Sequence, residues 1–386
     1  MAKQPLRVLF DANPLANSAK SGVGYYTWQT VAALANKYPE DIVLIGHYFN
    51  FLGRKKNLDL PMALNIRYRQ SRLLLGKVSN ALRKIGLPLP LELLARTKAD
   101  VLFFPNFVSL PSLFGKPKII TIHDLSFVEH PEYVQQKNGA FLRKFVPKSI
   151  SSAAAILTIS ESTKRALASQ YGQSKVAVVV AHIPPAEPVQ LTPEAVHSAL
   201  KELRLSKKFI LFVGTLEPRK NVAGLMRAYA LLPQEARDQY SLVLAGGKGW
   251  NDAEINEVLD DLTAKGHDIV ATGYITDIQK VALYSAAEIF VLPSHYEGFG
   301  MPLLEAMSYG LPVVASDIEV FHEVAGDAAL FVPPEDPQAI AASVAELLAD
   351  KQLQAKLTKK AATQLKTYSW ATVAKTVFNL FTSKKK

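Results

Sequence analysis

The chain has 386 residues, more than one ordinary core holds and suited to two domains of about 150–200 residues each. With 49% hydrophobic and 20% charged residues it is not a disordered chain, and the absence of cysteine excludes a disulfide scaffold, a thiolate nucleophile and Cys-ligated zinc or iron–sulfur centres. The formal charge of +10 is uneven: residues 1–185 carry 24 basic and 10 acidic side chains, net +14, and the remainder 20 and 24, net −4, so the first half is expected to face a polyanion or an anionic surface.

The start, Met1 to Phe10, runs from a short basic tip straight into a strand pattern and has no signal-peptide core. No run of about 18 apolar residues follows that could span a bilayer as a helix. A cytoplasmic protein is expected. Strands are predicted at Arg7–Asp11 and Ile42–Gly46, with a helix over Tyr25–Lys37 between them. Gly22 and Gly24 precede that helix and permit close backbone approach of a ligand; a tight βα turn is the plain alternative. Thr27 stands where a dinucleotide fingerprint needs its third glycine, so no NAD site is implied.

Arg54–Lys84 holds nine cations and one acid, Asp59. Leu74, Val78, Leu82 and Ile85 recur on one helical face, with Arg69, Arg72, Asn80 and Arg83 on the other sides, although Gly76 weakens the helix. Residues 69–85 therefore read as a basic amphipathic helix, through which Arg54–Ile85 can lie on the inner face of the plasma membrane, each cation near an anionic leaflet contributing about 1 kcal/mol. A surface helix packed on the core is the alternative. Nucleic acid is not expected, because the stretch has one aromatic, Tyr68, and no nucleic-acid module follows.

Further strands are predicted at Val101–Phe104, Lys118–Ile122, Ala155–Ile159 and Lys175–Val180, with a helix at Ser162–Gln170. His123 and Asp124 sit at a strand end, where the imidazole could donate to a hydroxylated substrate or be a satisfied structural histidine. Pro184, Pro185, Pro188 and Pro193 make a stiff linker. Beyond it come strands at Phe209–Val213, Ser241–Ala245, Ile269–Ala271, Ile289–Leu292, Pro312–Ala315 and Ala329–Val332, with helices Asn221–Leu232, Pro302–Tyr309, Pro337–Asp350 and Ser369–Phe381 and a solvated Lys384–Lys386 tail. This alternation predicts an α/β protein of two doubly wound, Rossmann-like parallel-sheet domains facing across a cleft: residues 1–185, residues 186–368, and a C-terminal helix and tail at 369–386.

Chemistry concentrates after two strands of the second half. Glu297 and Glu305 flank Gly298, Phe299, Gly300 and a helix start marked by Pro302. A helix N-terminus with open amides favours phosphate, whereas carboxylates accept from vicinal hydroxyls; a ligand with both is a sugar nucleotide. Gly214 to Asn221 repeats the strand–glycine–helix pattern and adds Arg219 and Lys220, two cations able to hold a departing diphosphate. Gly246-Gly247-Lys248-Gly249 lacks the Ser/Thr of a Walker loop, and no metal-ligand pattern occurs.

Glu297-(seven residues)-Glu305 with Gly298-Phe299-Gly300, then Glu217-Pro218-Arg219-Lys220-Asn221, Gly22-Val23-Gly24, His123-Asp124, Thr158-Ile-Ser160-Glu161-Ser162 and Gly273-Tyr274-Ile275 together resemble glycosyltransferase family 4, retaining transferases of the GT-B fold, over nearly the whole chain. The resemblance implies that Arg219 and Lys220 hold the donor diphosphate, Glu297 the sugar hydroxyls and Glu305 the ribose, and that His123 contacts the transferred sugar. It further implies that Gly22, Gly24, Gly214, Gly298, Phe299, Gly300, Met301 and Leu303 lie around the donor, and that Gly273, Tyr274 and Ile275 edge the nucleobase pocket. No metal and no cofactor besides the donor substrate is expected. The first domain of such enzymes generally holds the acceptor, so its charge points to a phosphorylated or membrane-embedded one. Residues 123–132 look most like bacterial mannosyltransferases of surface polysaccharide synthesis, which favours GDP-mannose as donor and a glycan or polyprenyl-linked acceptor. A UDP- or ADP-sugar transferase, a GT-B sugar-nucleotide isomerase or hydrolase, and a non-catalytic sugar-nucleotide sensor are the alternatives.

Overall fold

The computed structural model describes residues 4–16, 21–56, 58–74, 76–172 and 176–385. Seven strands, β1 (Leu6–Asp11), β2 (Ile42–Phe49), β3 (Ile66–Ser71), β4 (Val101–Phe104), β5 (Lys118–Ile122), β6 (Ala155–Thr158) and β7 (Ala177–Val180), form one sheet in the order β3-β2-β1-β4-β5-β6-β7. Six more, β8 (Lys208–Val213), β9 (Tyr240–Ala245), β10 (Ile269–Gly273), β11 (Ile289–Leu292), β12 (Val313–Ser316) and β13 (Leu330–Val332), form a second in the order β10-β9-β8-β11-β12-β13. All paired strands are parallel. Helices cover both faces of such sheets, which explains why the central strands read as unbroken apolar runs: Val8, Leu9 and Phe10 in β1, and Ile289 to Leu292 in β11, are fully buried.

Twelve of these strands stand where the sequence placed them, with ends moved by a few residues; Lys175, expected to open the seventh, lies outside the described residues. The exception is β3, which replaces part of the expected basic helix. Ile66 and Tyr68 pair in register with Leu44 and Gly46 of β2. A Cβ on Gly46 would lie 2.6 Å from the Phe10 ring and 2.7 Å from the Tyr68 ring, so the missing side chain is what lets Tyr68 cover the strand. Being at the edge, β3 leaves Arg67, Arg69 and Gln70 exposed, and charged edge strands carry a weak β signal. The helix shrinks to Gly76–Lys84. Val78 and Ile85 are exposed while Leu74 and Leu82 are half-buried, so its apolar face is not packed on the core.

The chain divides into two units. The first takes residues up to Pro131, then Gln136–Ile183, and regains the chain from Ser369 onward. Its last helix, Trp370–Lys384, buries Val373, Val377 and Phe381 and packs on the helix Gly22–Lys37; Tyr38 and Phe378 stack with centroids 3.9 Å apart. The segment read as a separate terminal helix is thus part of the first unit's core, whereas Lys384 is half-buried, Lys385 is exposed and Lys386 lies outside the described residues. The second unit comprises Glu132–Gln135 and Pro184–Tyr368. No helix among the described residues is long and apolar enough to cross a membrane.

In open parallel sheets, ligands bind beyond the carboxyl ends of the strands where the strand order reverses. That point falls between β1 and β4 in the first unit and between β8 and β11 in the second.

Candidate functional site

Beyond β8 the chain turns through Gly214, whose N–H donates to the Ala245 carbonyl at 2.9 Å. Gly246, after β9, packs so tightly on it that a Cβ there would lie 1.9 Å from the Gly214 carbonyl oxygen. The Gly246–Gly249 loop therefore buttresses the loop that carries the cations. Pro218–Lys220 makes a single 3₁₀ turn, and Asn221, at φ +53, redirects the chain into the helix Val222–Ala230.

Beyond β11 come Ser294, Glu297 and Gly300. Gly300, at φ +102, is the N-cap of the helix Met301–Ser308, with Pro302 second in the helix rather than first. Both the backbone angle and a Phe321 ring atom 2.6 Å from where a Cβ would sit require glycine here. The His295 N–H donates to the Arg219 carbonyl at 2.9 Å, tying the two loops together. Phe299 and Leu303 turn their side chains into the core, so only their backbones could face a donor. The Met301 N–H has no acceptor among the described residues.

Where these loops meet, Glu297 is buried and accepts hydrogen bonds from Arg219 Nη1 at 2.7 Å, from Lys220 Nζ and from Ser294 Oγ at 2.9 Å. Arg219 also gives Nε and Nη2 to Glu217 at 2.9 and 2.7 Å, and Nη1 to the Tyr296 carbonyl at 2.8 Å. The two cations expected to meet a diphosphate are thus both paired with carboxylates in the structure. Burial alone would raise the pKa of Glu297, but the two cations and their hydrogen bonds reverse this and hold it at about 2. Burial lowers the pKa of Lys220, with Glu297 only partly restoring it, and burial raises that of Glu217 against the pull of Arg219.

Glu305, one turn into the helix, is separately held. Its Oε1 is 3.1 Å from Lys280 Nζ, and its Oε2 accepts from the Tyr284 hydroxyl at 3.0 Å. Gly273 has φ +71 and open space around it, Tyr274 is exposed and Ile275 half-buried, so this rim is accessible to a ligand.

The remaining residues singled out belong to the first unit. Gly22 and Gly24 are not in a loop; they open the helix Gly22–Lys37, where Ser21 Oγ caps the Gly24 N–H at 3.3 Å. His123 is buried, its Nε2 2.7 Å from the Pro105 carbonyl oxygen. A carbonyl only accepts, so this nitrogen carries the proton and Nδ1 is left as an acceptor. Burial lowers the His123 pKa, outweighing Pro105 and Asp124. With Nε2 donating to Pro105, the other ring nitrogen can only accept, the reverse of the expected donor role. Ser160 caps the helix Glu161–Tyr171 through Thr163 N–H at 3.0 Å, and the Thr163 hydroxyl reaches the His123 carbonyl at 3.2 Å, which explains the Ser160-Glu161-Ser162 motif as a support for the histidine loop.

Lys280, Tyr284, Ser294 and Gly246 were not legible as site residues. A lone lysine, tyrosine or serine carries no spacing signal, and a glycine-rich loop does not reveal in its sequence which neighbouring loop it packs on. Among the described residues no three His, Asp or Glu side chains gather as a metal site would need.

One further feature bears on the anionic partner expected of the first unit. β3 and the segment Leu93–Arg96 border a groove of about 820 Å³ lined by Arg69, Arg72, Leu73, Leu93 and Arg96. All five are exposed. The three arginines make no ion pair among the described residues.

The family models described as Glycosyltransferase Family 4 and Glycosyl transferases group 1 match residues 20–184 and 197–364. O-antigen chain mannosyltransferase B of Escherichia coli is 35% identical over 284 residues, 72% of this chain and 72% of that protein. Among solved structures, sucrose-phosphate synthase from Thermosynechococcus elongatus superposes with a TM-score of 0.73 at 19% identity, over 98% of both chains. Anabaena HepE, in complex with UDP and glucose, gives 0.71 at 17% identity, over 98% of this chain and 100% of that one.

Proposed function

Because the chain belongs to glycosyltransferase family 4, we propose that it transfers mannose, with retention and without a metal ion, from GDP-mannose to a glycan or polyprenyl-linked acceptor of a surface polysaccharide. The observation that carries this reading is the buried Glu217–Arg219–Glu297–Lys220 network at the reversal point of the second sheet. The mannosyl and polysaccharide parts draw support from the Escherichia coli relative.

In this mechanism the bond between the sugar C1 and the diphosphate oxygen breaks, its electron pair leaving with the diphosphate. The acceptor hydroxyl bonds to C1 from the same face and its proton passes to the departing phosphate oxygen. Lys220, with hydrogen-bonding capacity beyond Glu297, and the Met301 amide at the positive end of its helix take up the growing charge. Arg219, whose Nε and both terminal nitrogens already serve Glu217, Glu297 and the Tyr296 carbonyl, acts chiefly to orient Glu297. A carboxylate held near pKa 2 is a weak base and a poor nucleophile, so Glu297 serves as an acceptor for sugar hydroxyls. Glu305 accepts from the ribose, Gly273, Tyr274 and Ile275 edge the base, and His123 Nδ1 accepts from a hydroxyl of the transferred sugar.

Thermal melting with GDP-mannose, UDP-glucose and UDP-N-acetylglucosamine tests the donor. GDP-mannose at 100 times its Kd is expected to stabilise the protein by about 2.7 kcal/mol, and NMR of the product to show the donor's anomeric configuration. A shift with a UDP-sugar alone overturns the mannosyl assignment, an inverted product the stereochemistry, and no shift with any of the three the donor site itself.

The acceptor side of the reading places the first unit on an anionic bilayer. Unpaired Arg69, Arg72 and Arg96 match phosphate headgroups, and Leu73 and Leu93, 83% and 52% exposed, supply apolar contact. Co-sedimentation with phosphatidylglycerol vesicles is expected to weaken with salt and to fall about tenfold or more in the R69E/R72E/R96E variant. Equal binding to neutral phosphatidylcholine, indifference to charge reversal, or a preference for single-stranded DNA overturns it.

A further inference from the structure

Lys280 has no part in the roles assigned above, yet it is one of two side chains that fix Glu305. It lies on the helix Asp277–Ala286, whose start is set by a reciprocal cap in which Thr276 N–H donates to Gln279 Oε1 at 3.0 Å and Gln279 N–H to Thr276 Oγ1 at 3.2 Å. Lys280 and Tyr284, four residues apart, share a face of that helix. The same helix directly follows Gly273–Ile275, the rim assigned to the base.

The two contacts differ in kind. Tyr284 is buried, and its ring stacks on Tyr309 with centroids 5.5 Å apart. Burial and the neighbouring Glu305 push its pKa well above 10, so it remains a fixed donor to Oε2. Lys280 is 35% exposed at its side chain and holds Oε1 from the solvent side. With Tyr284 alone, the carboxylate could pivot about its hydrogen-bonded Oε2 through concerted changes of its side-chain torsions, carrying Oε1 to a new position. The second contact, to Oε1, stops that movement. Each carboxylate oxygen accepts two hydrogen bonds, so both keep capacity for a hydroxyl while clamped. A vicinal diol needs both oxygens in a fixed plane, which is the property that the lysine adds.

We infer that Lys280 is a positioning residue for nucleotide recognition: it locks the Glu305 carboxylate in the orientation that accepts the two ribose hydroxyls, and so sets the preference of the site for ribonucleotides over their deoxy counterparts. This rests on the reading of Glu305 as the ribose acceptor. Lys280 acts through Glu305 and not on the sugar being transferred.

Isothermal titration of the full chain with GDP and UDP, each beside its 2′,3′-dideoxy counterpart, tests this in wild type, K280M and K280R. Wild type is expected to prefer the ribonucleotide about tenfold, the worth of a hydrogen bond to a charged group. In K280M the ribonucleotide should weaken about fivefold or more while the dideoxy form changes less than about twofold, collapsing the preference; K280R should restore it. Equal weakening of both forms would mean that Lys280 merely attracts the diphosphate, and no weakening of either would mean that Tyr284 suffices. Each of these overturns the inference while leaving the donor site standing. A wild type that binds ribo and dideoxy forms equally removes Glu305 from the ribose, and one that binds neither removes the donor site as a whole.

Discussion

Replacing Lys220 by alanine is expected to lower kcat by about 10²–10³, the worth of a preorganised donor to a charge that grows in the transition state, with a much smaller change in donor KM. The fold should persist, because Arg219 and Ser294 still satisfy Glu297 and no buried carboxylate is left alone. R219A should behave differently. It strips Glu217 of its partner and Glu297 of one of two cations, so a stability loss of about 3–5 kcal/mol is expected in urea denaturation. An unchanged turnover number in K220A would remove the lysine from the leaving-group role, and R219A melting like wild type would remove the arginine from the scaffold.

Glu297→Gln is expected to separate binding from transfer. In the structure Glu297 neutralises Lys220, the cation assigned to the diphosphate, while also pairing with Arg219, so a free nucleoside diphosphate must compete with it for the lysine. The amide keeps the shape and removes that competition, so GDP should bind about tenfold tighter, the equivalent of about 1.4 kcal/mol, as read by titration calorimetry. Turnover should fall about 10²-fold or more, since a neutral amide no longer holds the sugar hydroxyls with a charged acceptor. Tighter product binding with slower transfer is the signature; weaker product binding would show that Glu297 does not compete with phosphate. The pH sign follows from the depressed pKa. With a folded value of about 2 against about 4.3 unfolded, the stability contributed by Glu297 is fully present above about pH 4.3 and is lost as pH falls toward 2. The E297Q variant should lack that acid-side slope.

The parts legible in advance share one property, in that the information is local. β8 and β11 announce themselves as apolar runs ended by Gly214 and Pro293, and the loops after them by Pro218, Gly300 and Pro302, so the residues of these two loops are legible from local pattern. β3 escaped because its residues alternate as an edge strand should, yet carry Arg67 and Arg69 on the open side, where a helix face explained the same cations equally well. The return of Trp370–Lys384 to the first unit could not be read either. Its apolar face needs a partner, but nothing within the segment says which of the two units supplies it; Tyr38 at the end of the helix Gly22–Lys37 and Phe103 in β4, hundreds of residues earlier, do so.

By itself, then, the order of residues determined the two parallel sheets, the loops that follow β8 and β11 and the charged residue types those loops carry, because strand period, helix caps and turn glycines act over a few residues at a time. Tertiary structure alone decided which charges meet: that Glu297 lies across two cations 77 and 78 residues away, that His123 presents an acceptor, and that Lys280 and Tyr284 clamp Glu305. Ion pairing and burial depend on distance through space and on how much water is excluded, and neither quantity is written in the spacing of letters along the chain.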